Sequence, residues 1–459
     1  MVFQLLLVIG LAFILSGIFI TPVFVAKHIT HVEILPDSTG SKVLKYQLFG
    51  VISGCILLLA AIRSLDRKYF KYAIIPILAI AFLLIHRVHI NVLYPNNIFL
   101  DKSGLMKTWR LLLGEEIVVS DYQPRTELVV NNRKVKKARF PAVDFHFCLN
   151  SLKGINADEL VRAMDACGVR AVVNVDGLPK EFKKFTREFK DKYPDRFIMF
   201  SSLKYWEVKN PGFPEEQLSE LDNAVRMGAK GIKVYKNFGM DSLDRSGKLV
   251  SVDDPRFDPI WEKAGKLKLP VLMHAADPPA FWRTVDRYNE RFEELNDNPK
   301  WGYARPGVPS RESILEHTEN LVRKHPGTNF VLAHVGSNSH DLVYASKMMD
   351  KYPNYYVEIA AVLSELGRQP YTARKFFIKY QDRILFATDG GYGLDREGTW
   401  PPERLFRTYF EFLETENEYF EYQLWGIYSQ GLWHIYGINL PDSVLEKIYY
   451  RNAMKLLNL

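Results

Sequence analysis

The strongest constraint on the fold is a period that begins at Pro141 and continues into the last quarter of the chain. Apolar, β-branched runs alternate with helical patterns, which signals parallel βαβ units. The strand candidates are "AVDFHFC" (142–148), "RAVVNVDG" (170–177), "RFIMFSSL" (196–203) and "KGIKVYKN" (230–237). They continue with "PVLMHAAD" (270–277), "NFVLAHVGS" (329–337), "YYVEIAA" (355–361) and "ILFATDGG" (384–391). Helical segments fall between them, at Asp158–Cys167, Glu215–Met227, Asp258–Leu267 and Arg374–Tyr380. Eight strands over about 250 residues predict a (β/α)8 TIM barrel. A doubly wound sheet would carry a Gly-rich phosphate turn after its first strand, and none is present.

One connection is too long for a simple crossover. The stretch 278–328 separates the fifth strand from the sixth and includes "PAFWRTVDRYNERFEELNDNPKWGYARPGVPS". An insertion on the C-terminal side of a barrel strand lies beside the mouth, so it is expected to act as a lid. The expected organisation is therefore a membrane region over 1–94, a connector over 95–140 and a barrel over 141–459.

The membrane expectation rests on three apolar runs. Phe3–Val25 carries no charge over 23 residues, long enough for a bilayer that needs roughly 20. Tyr46–Ile62 is a second uncharged run of 17 residues, and Tyr72–Ile85 a third of 14 that reaches spanning length only by continuing to Tyr94. Two to three transmembrane helices and a lipid-bilayer partner are thus expected to precede the barrel. The basic link Arg63, Arg67, Lys68 and Lys71 belongs in the cytoplasm. With all three runs crossing, that orientation predicts a multi-pass protein with its barrel on the extracytoplasmic side; if the third does not cross, the same rule puts the barrel inside. The net charge of +7 is modest, and no Lys/Arg run is interleaved with aromatics, so a nucleic-acid partner is not expected. The cysteines Cys55, Cys148 and Cys167 form no disulfide framework and no zinc-ribbon spacing.

Chemistry concentrates at the strand ends. Side chains two apart on a strand share a face, so His146 and Cys148 in "DFHFC" can converge on one ion. His274 and His334 sit near the ends of the fifth and sixth strands, and Asp389 at the end of the eighth. In a barrel these ends face one mouth, and unpaired burial of each polar group would cost about 1–3 kcal/mol. Together they point to a metal site.

From Phe140 to Leu459 the chain resembles the amidohydrolase superfamily, in the branch of aminocarboxymuconate-semialdehyde decarboxylase-like enzymes and lactonases. The motifs that carry the resemblance are "VDFHF", "GAKGIKVYKNFG", "PVLMHAADPPAFW", "VLAHVGSN", "GRQPYTARKFFIKYQDRILFATDG" and "LPDSVLEKIYYRNAMKLL". The resemblance implies one divalent metal, usually zinc, on residues that map to His146, Cys148, His274 and Asp389. It also implies that Asp389 moves protons and that His334 contacts substrate or the attacking water. Cys148 departs from the usual His-x-His pattern. A thiolate is a good zinc ligand, while the alternatives are a buried bystander or a site without metal. Lys233 is a candidate for holding a substrate carboxylate, or for an ion pair with Glu358. Arg368 and Trp282 are further candidates for substrate contact. The expected function is a membrane-anchored hydrolase that directs a metal-activated water at an amide, imide or lactone of a small molecule. The alternatives are a non-oxidative decarboxylase and a metal-free binding protein, and oligomerisation stays open.

Overall fold

The structure, a computed structural model, describes residues 126–151, 156–391, 402–422, 430–431 and 433–459. Its compact unit runs from Leu128 to Leu459. Eight strands form one sheet in sequence order: β1 (Ala142–Phe147), β2 (Val169–Asn174), β3 (Phe197–Ser202), β4 (Ala229–Val234), β5 (Val271–Met273), β6 (Phe330–Leu332), β7 (Tyr355–Glu358) and β8 (Ile384–Leu385). Each neighbouring pair is parallel. The ends of the sheet meet. Phe145 donates its backbone N–H to Phe386 O at 2.9 Å, Asp389 to His146 O at 2.9 Å, and Cys148 to Gly390 O at 2.7 Å. A (β/α)8 barrel is the result, as the alternating period predicts.

The crossover helices include α1 (Ala157–Cys167), α2 (Glu215–Arg226), α3 (Asp258–Lys266), α4 (Arg311–Lys324) and α5 (Pro370–Lys379). Local chemistry sets their ends. Asn156 and Glu159 form a reciprocal capping box at the start of α1, and Gly168 ends it with φ +75°. Ser310 accepts the Ser313 N–H at the start of α4. Two apolar layers result. One lies between sheet and helices; the other fills the barrel with Val143, Phe145, Val173, Phe200, Leu272, Val331 and Leu385. Phe145 meets Phe200 edge to face, with centroids 5.5 Å apart and planes at 89°. The C-terminal helix, α6 (Asn452–Leu457), adds Ala453, Leu456 and Leu457 to that inner layer.

The membrane expectation is corrected. Among the described residues no helix is long and apolar enough to cross a membrane. Even α4, at 14 residues, rises only about 21 Å against a hydrocarbon core of about 30 Å, and it is amphipathic. Transmembrane helices, a lipid-bilayer partner and a multi-pass location therefore do not carry forward. The runs Phe3–Val25, Tyr46–Ile62 and Tyr72–Tyr94 on which they rested lie outside the described residues. In the basic stretch before β1, Arg133 N–H reaches Asn417 Oδ1 at 2.9 Å and Arg139 N–H reaches Glu414 Oε1 at 3.0 Å. Residues 126–140, the described part of the connector, form no strand.

Candidate functional site

Several strands stop earlier than their apolar runs suggest, because the residues that follow leave extended conformation. His334 and Asp389 take φ +58°, and Ala361 takes φ +51°. Left-handed backbone costs a non-glycine residue of order 1–2 kcal/mol, and it persists only where neighbours over-determine it. Here they do. His334 donates its N–H to Glu358 Oε1 at 3.2 Å, Asp389 to His146 O at 2.9 Å, and Ala361 to the Tyr409 hydroxyl at 2.7 Å. These turns bring His334 and Asp389 to a cavity of about 400 Å³ that His146, Cys148, Lys233 and His274 also line.

His146 is the centre of the constellation. Its Nδ1 lies 2.9 Å from Glu358 Oε1, and its Nε2 lies 3.0 Å from Lys233 Nζ and 3.3 Å from Asp389 Oδ1. Cys148 Sγ donates to Asp389 Oδ1 at 3.6 Å. The donor atoms of His146, Cys148 and Asp389 all fall within 4.8 Å of one another, and those of His146, His334 and Glu358 do likewise. Imidazole nitrogen, thiol sulfur and carboxylate oxygen at this spacing fit a divalent ion. The bond from Nδ1 to a carboxylate is the usual support of a metal-binding histidine.

Electrostatics follow burial. Burial, reinforced by Lys233, holds the His146 imidazole well below its usual range, so the ring is neutral and its lone pair available. Burial also lowers Lys233. Cys148 poses a conflict, because burial and the neighbouring Asp389 push its thiol well above the usual range, whereas a ligand must be a thiolate. Without a cation the proton stays on sulfur; a divalent charge at the donor group would reverse that preference.

His274 does not join either donor group. Its Nε2 faces Asp277 Oδ1 at 3.2 Å and its Nδ1 faces His334 Nε2 at 3.3 Å, although it was expected among the ligands. Burial and His334 lower it to about 3. Lys233 lies in the cavity, yet its partner is His146 rather than Glu358. Arg368 is not among the lining residues: its guanidinium sits 3.8 Å over the Trp433 ring and pairs with Glu290 at 3.2 Å. Trp282 is likewise absent from the lining, with its indole N–H donating to Pro309 O at 3.0 Å.

The long insertion walls the mouth with Phe281, Arg291, Glu294 and Trp301. It is pinned rather than loose. Asp277 Oδ2 accepts from Lys236 Nζ and from Tyr303 Oη, both at 2.8 Å. Buried Arg291 reaches Glu294 Oε2 at 2.8 Å, Ser364 Oγ at 3.0 Å and Glu365 Oε1. Sequence reasoning missed Asp277, Arg291 and the pairing of Glu358 with His146. Glu358 carried a signal, since it is the one charged residue inside the seventh apolar run, "YYVEIAA".

The family model described as Amidohydrolase matches residues 156–459, a match that begins after β1 and leaves His146 and Cys148 outside. A γ-resorcylate decarboxylase of Rhizobium sp. (strain MTP-10005) is 23% identical over 274 residues, covering 53% of this chain and 79% of the relative. One from Rhizobium radiobacter is 22% identical over 275 residues, covering 53% and 79%. Among solved structures, 2,6-dihydroxybenzoate decarboxylase from Rhizobium is 18% identical with a TM-score of 0.39, covering 70% of this chain and 99% of that one. The 4-oxalomesaconate hydratase of Rhodopseudomonas palustris is 15% identical with a TM-score of 0.41, covering 69% and 95%. The expectation of a hydrolase is corrected by the two curated relatives, which both bear the name of a decarboxylase.

Proposed function

We propose that this chain, which belongs to the amidohydrolase family, is a metal-dependent decarboxylase that removes a carboxyl group from a small aromatic acid without oxidation. The observation that carries the reading is the pair of γ-resorcylate decarboxylases aligned over 79% of their own length. The cavity supports it: a buried lysine amine stands beside the donor group, which suits a carboxylate gripped by a metal and a cation together.

His146, Cys148 and Asp389 would hold the metal; His274 lines the same cavity, and its ring would have to leave Asp277 or His334 to add a fourth donor. The thiol in this set favours zinc over the hard cations. Such an ion, when bound, neutralises substrate charge and polarises a bound oxygen. The remaining work falls to the chain. Lys233 Nζ, itself buried, pairs with the substrate carboxylate. Asp389 passes a proton to the ring carbon that bears the carboxylate. The C–C bond then breaks, its electron pair returns to the ring and CO₂ leaves. Asp389 recovers its proton from solvent. His334 donates Nδ1–H to Ala360 O at 2.8 Å, which leaves Nε2 as an acceptor for a substrate hydroxyl. Phe281 and Trp301 of the insertion give this cavity apolar wall.

The test is to incubate the purified protein with a panel of hydroxybenzoates and, separately, of lactones and amides. Equal amounts of CO₂ and decarboxylated arene are expected from at least one hydroxybenzoate. Acid release from a lactone or amide, with no CO₂ from any aromatic acid, would overturn the proposal.

A further inference from the structure

We infer that Glu358 is a positioning residue: it fixes the tautomer of His146, and so decides which ring nitrogen offers its lone pair to the cavity. This deepens the metal reading above and rests on it. Glu358 closes β7 and is fully buried, and it holds neither lysine nor arginine in an ion pair within 4 Å among the described residues. Three N–H groups converge on it instead. Oε1 accepts from His146 Nδ1 at 2.9 Å and from the His334 backbone at 3.2 Å, and Oε2 accepts from the Ala360 backbone.

Donor counting leaves one arrangement of the imidazole proton. Glu358 brings only acceptor oxygens to Nδ1, so the proton must sit there. At Nε2 the Lys233 amine, a donor at 3.0 Å, stands closer than the Asp389 oxygen, an acceptor at 3.3 Å, so with the proton on Nδ1 this nitrogen carries the lone pair. The opposite tautomer would set acceptor against acceptor on one side of the ring and donor against donor on the other. Because the same carboxyl also takes the His334 N–H, Glu358 ties the left-handed turn after β6 to the ring of β1. A merely space-filling residue would do neither.

Glutamine at this position separates the two roles. It has the shape of glutamate, but one of its ends must donate. Turned towards His146, its amide N–H₂ is satisfied only if the ring moves its proton to Nε2. Turned towards Ala360, it meets another N–H. The experiment uses ¹⁵N-histidine-labelled full chain stripped with a chelator, with the His146 signals identified by their loss in His146→Asn. Long-range proton–nitrogen spectra of the parent should find Nδ1 protonated and Nε2 bare. In Glu358→Gln the Nε2-protonated form should rise, and zinc affinity, read by competition with a chromophoric chelator, should fall at least tenfold while the circular dichroism is unchanged. A parent ring protonated at Nε2 would overturn the inference, and this readout needs no variant to fold. So would a folded Glu358→Gln that keeps the parent tautomer and zinc affinity. Neither readout involves CO₂, so the positioning role and the decarboxylase reading stand or fall separately.

Discussion

Replacing Cys148 with serine removes one candidate metal donor and changes little else. Cys148 is buried at the end of β1, and its sulfur donates to Asp389 Oδ1 at 3.6 Å, a contact a hydroxyl can keep. The fold should therefore survive while an ionisable ligand is lost. Removing an outer partner of a metal ligand already costs about 10- to 100-fold in affinity. A direct donor must cost at least tenfold, about 1.4 kcal/mol at 25 °C. The effect should also depend on pH. Because burial and Asp389 keep the thiol protonated at neutral pH, ligation must release its proton. Parent affinity should then gain about one further factor of ten per pH unit relative to Cys148→Ser. Competition with a chromophoric chelator over about two pH units reads both quantities. Cys148→His should bind at least as tightly as the parent, since it puts an imidazole donor beside His146 at a position that lines the cavity. Equal zinc affinity and equal pH slope in parent and Cys148→Ser would refute the ligand assignment and make the cysteine a bystander.

Three other outcomes are expected. Lys233→Met should lower kcat/KM for an aromatic acid about 10- to 100-fold, by losing a charged hydrogen bond of about 1.5–3 kcal/mol, with metal content unchanged; unchanged kinetics would remove Lys233 from substrate binding. Phe145→Ala should lower stability by about 3–5 kcal/mol in denaturant titration, and a loss under about 1 kcal/mol would contradict its place inside the barrel. For chelated protein, His274 makes stability depend on pH. Its folded value of about 3 lies below the ordinary 6.5, so only the unfolded chain takes up this proton between the two. Its contribution is full above that window and lost as pH falls through it, at no more than about 1.4 kcal/mol per pH unit. His274→Asn should flatten the slope between pH 6.5 and 3, and an unchanged slope would contradict the shift.

The barrel was legible because parallel strands buried on both faces leave unmistakable apolar runs, and all eight lie where those runs fall. Their ends were not, because His334, Ala361 and Asp389 are left-handed without being glycine, and only tertiary hydrogen bonds hold them so. His146, Cys148 and Asp389 could be singled out from strand position alone. The partners that orient them could not: Glu358 is 212 residues from His146, and periodicity within one strand carries no information about which far strand supplies a carboxyl. His274 illustrates the same limit. Its place at the end of β5 was readable, whereas the direction of its ring is set by Asp277 and His334. Apolar length was the whole basis of the membrane expectation, and none of the described helices supports it.

The most direct test of metal-dependent decarboxylation at this site is a metal titration of the chelated full-length protein, with CO₂ release from an accepted aromatic acid as the signal. Release should be absent at the start, rise in proportion to added zinc and level off at one ion per chain, and Asp389→Ala should give no rise. Full CO₂ release before any metal is added, or an Asp389→Ala titration that matches the parent, would contradict the account.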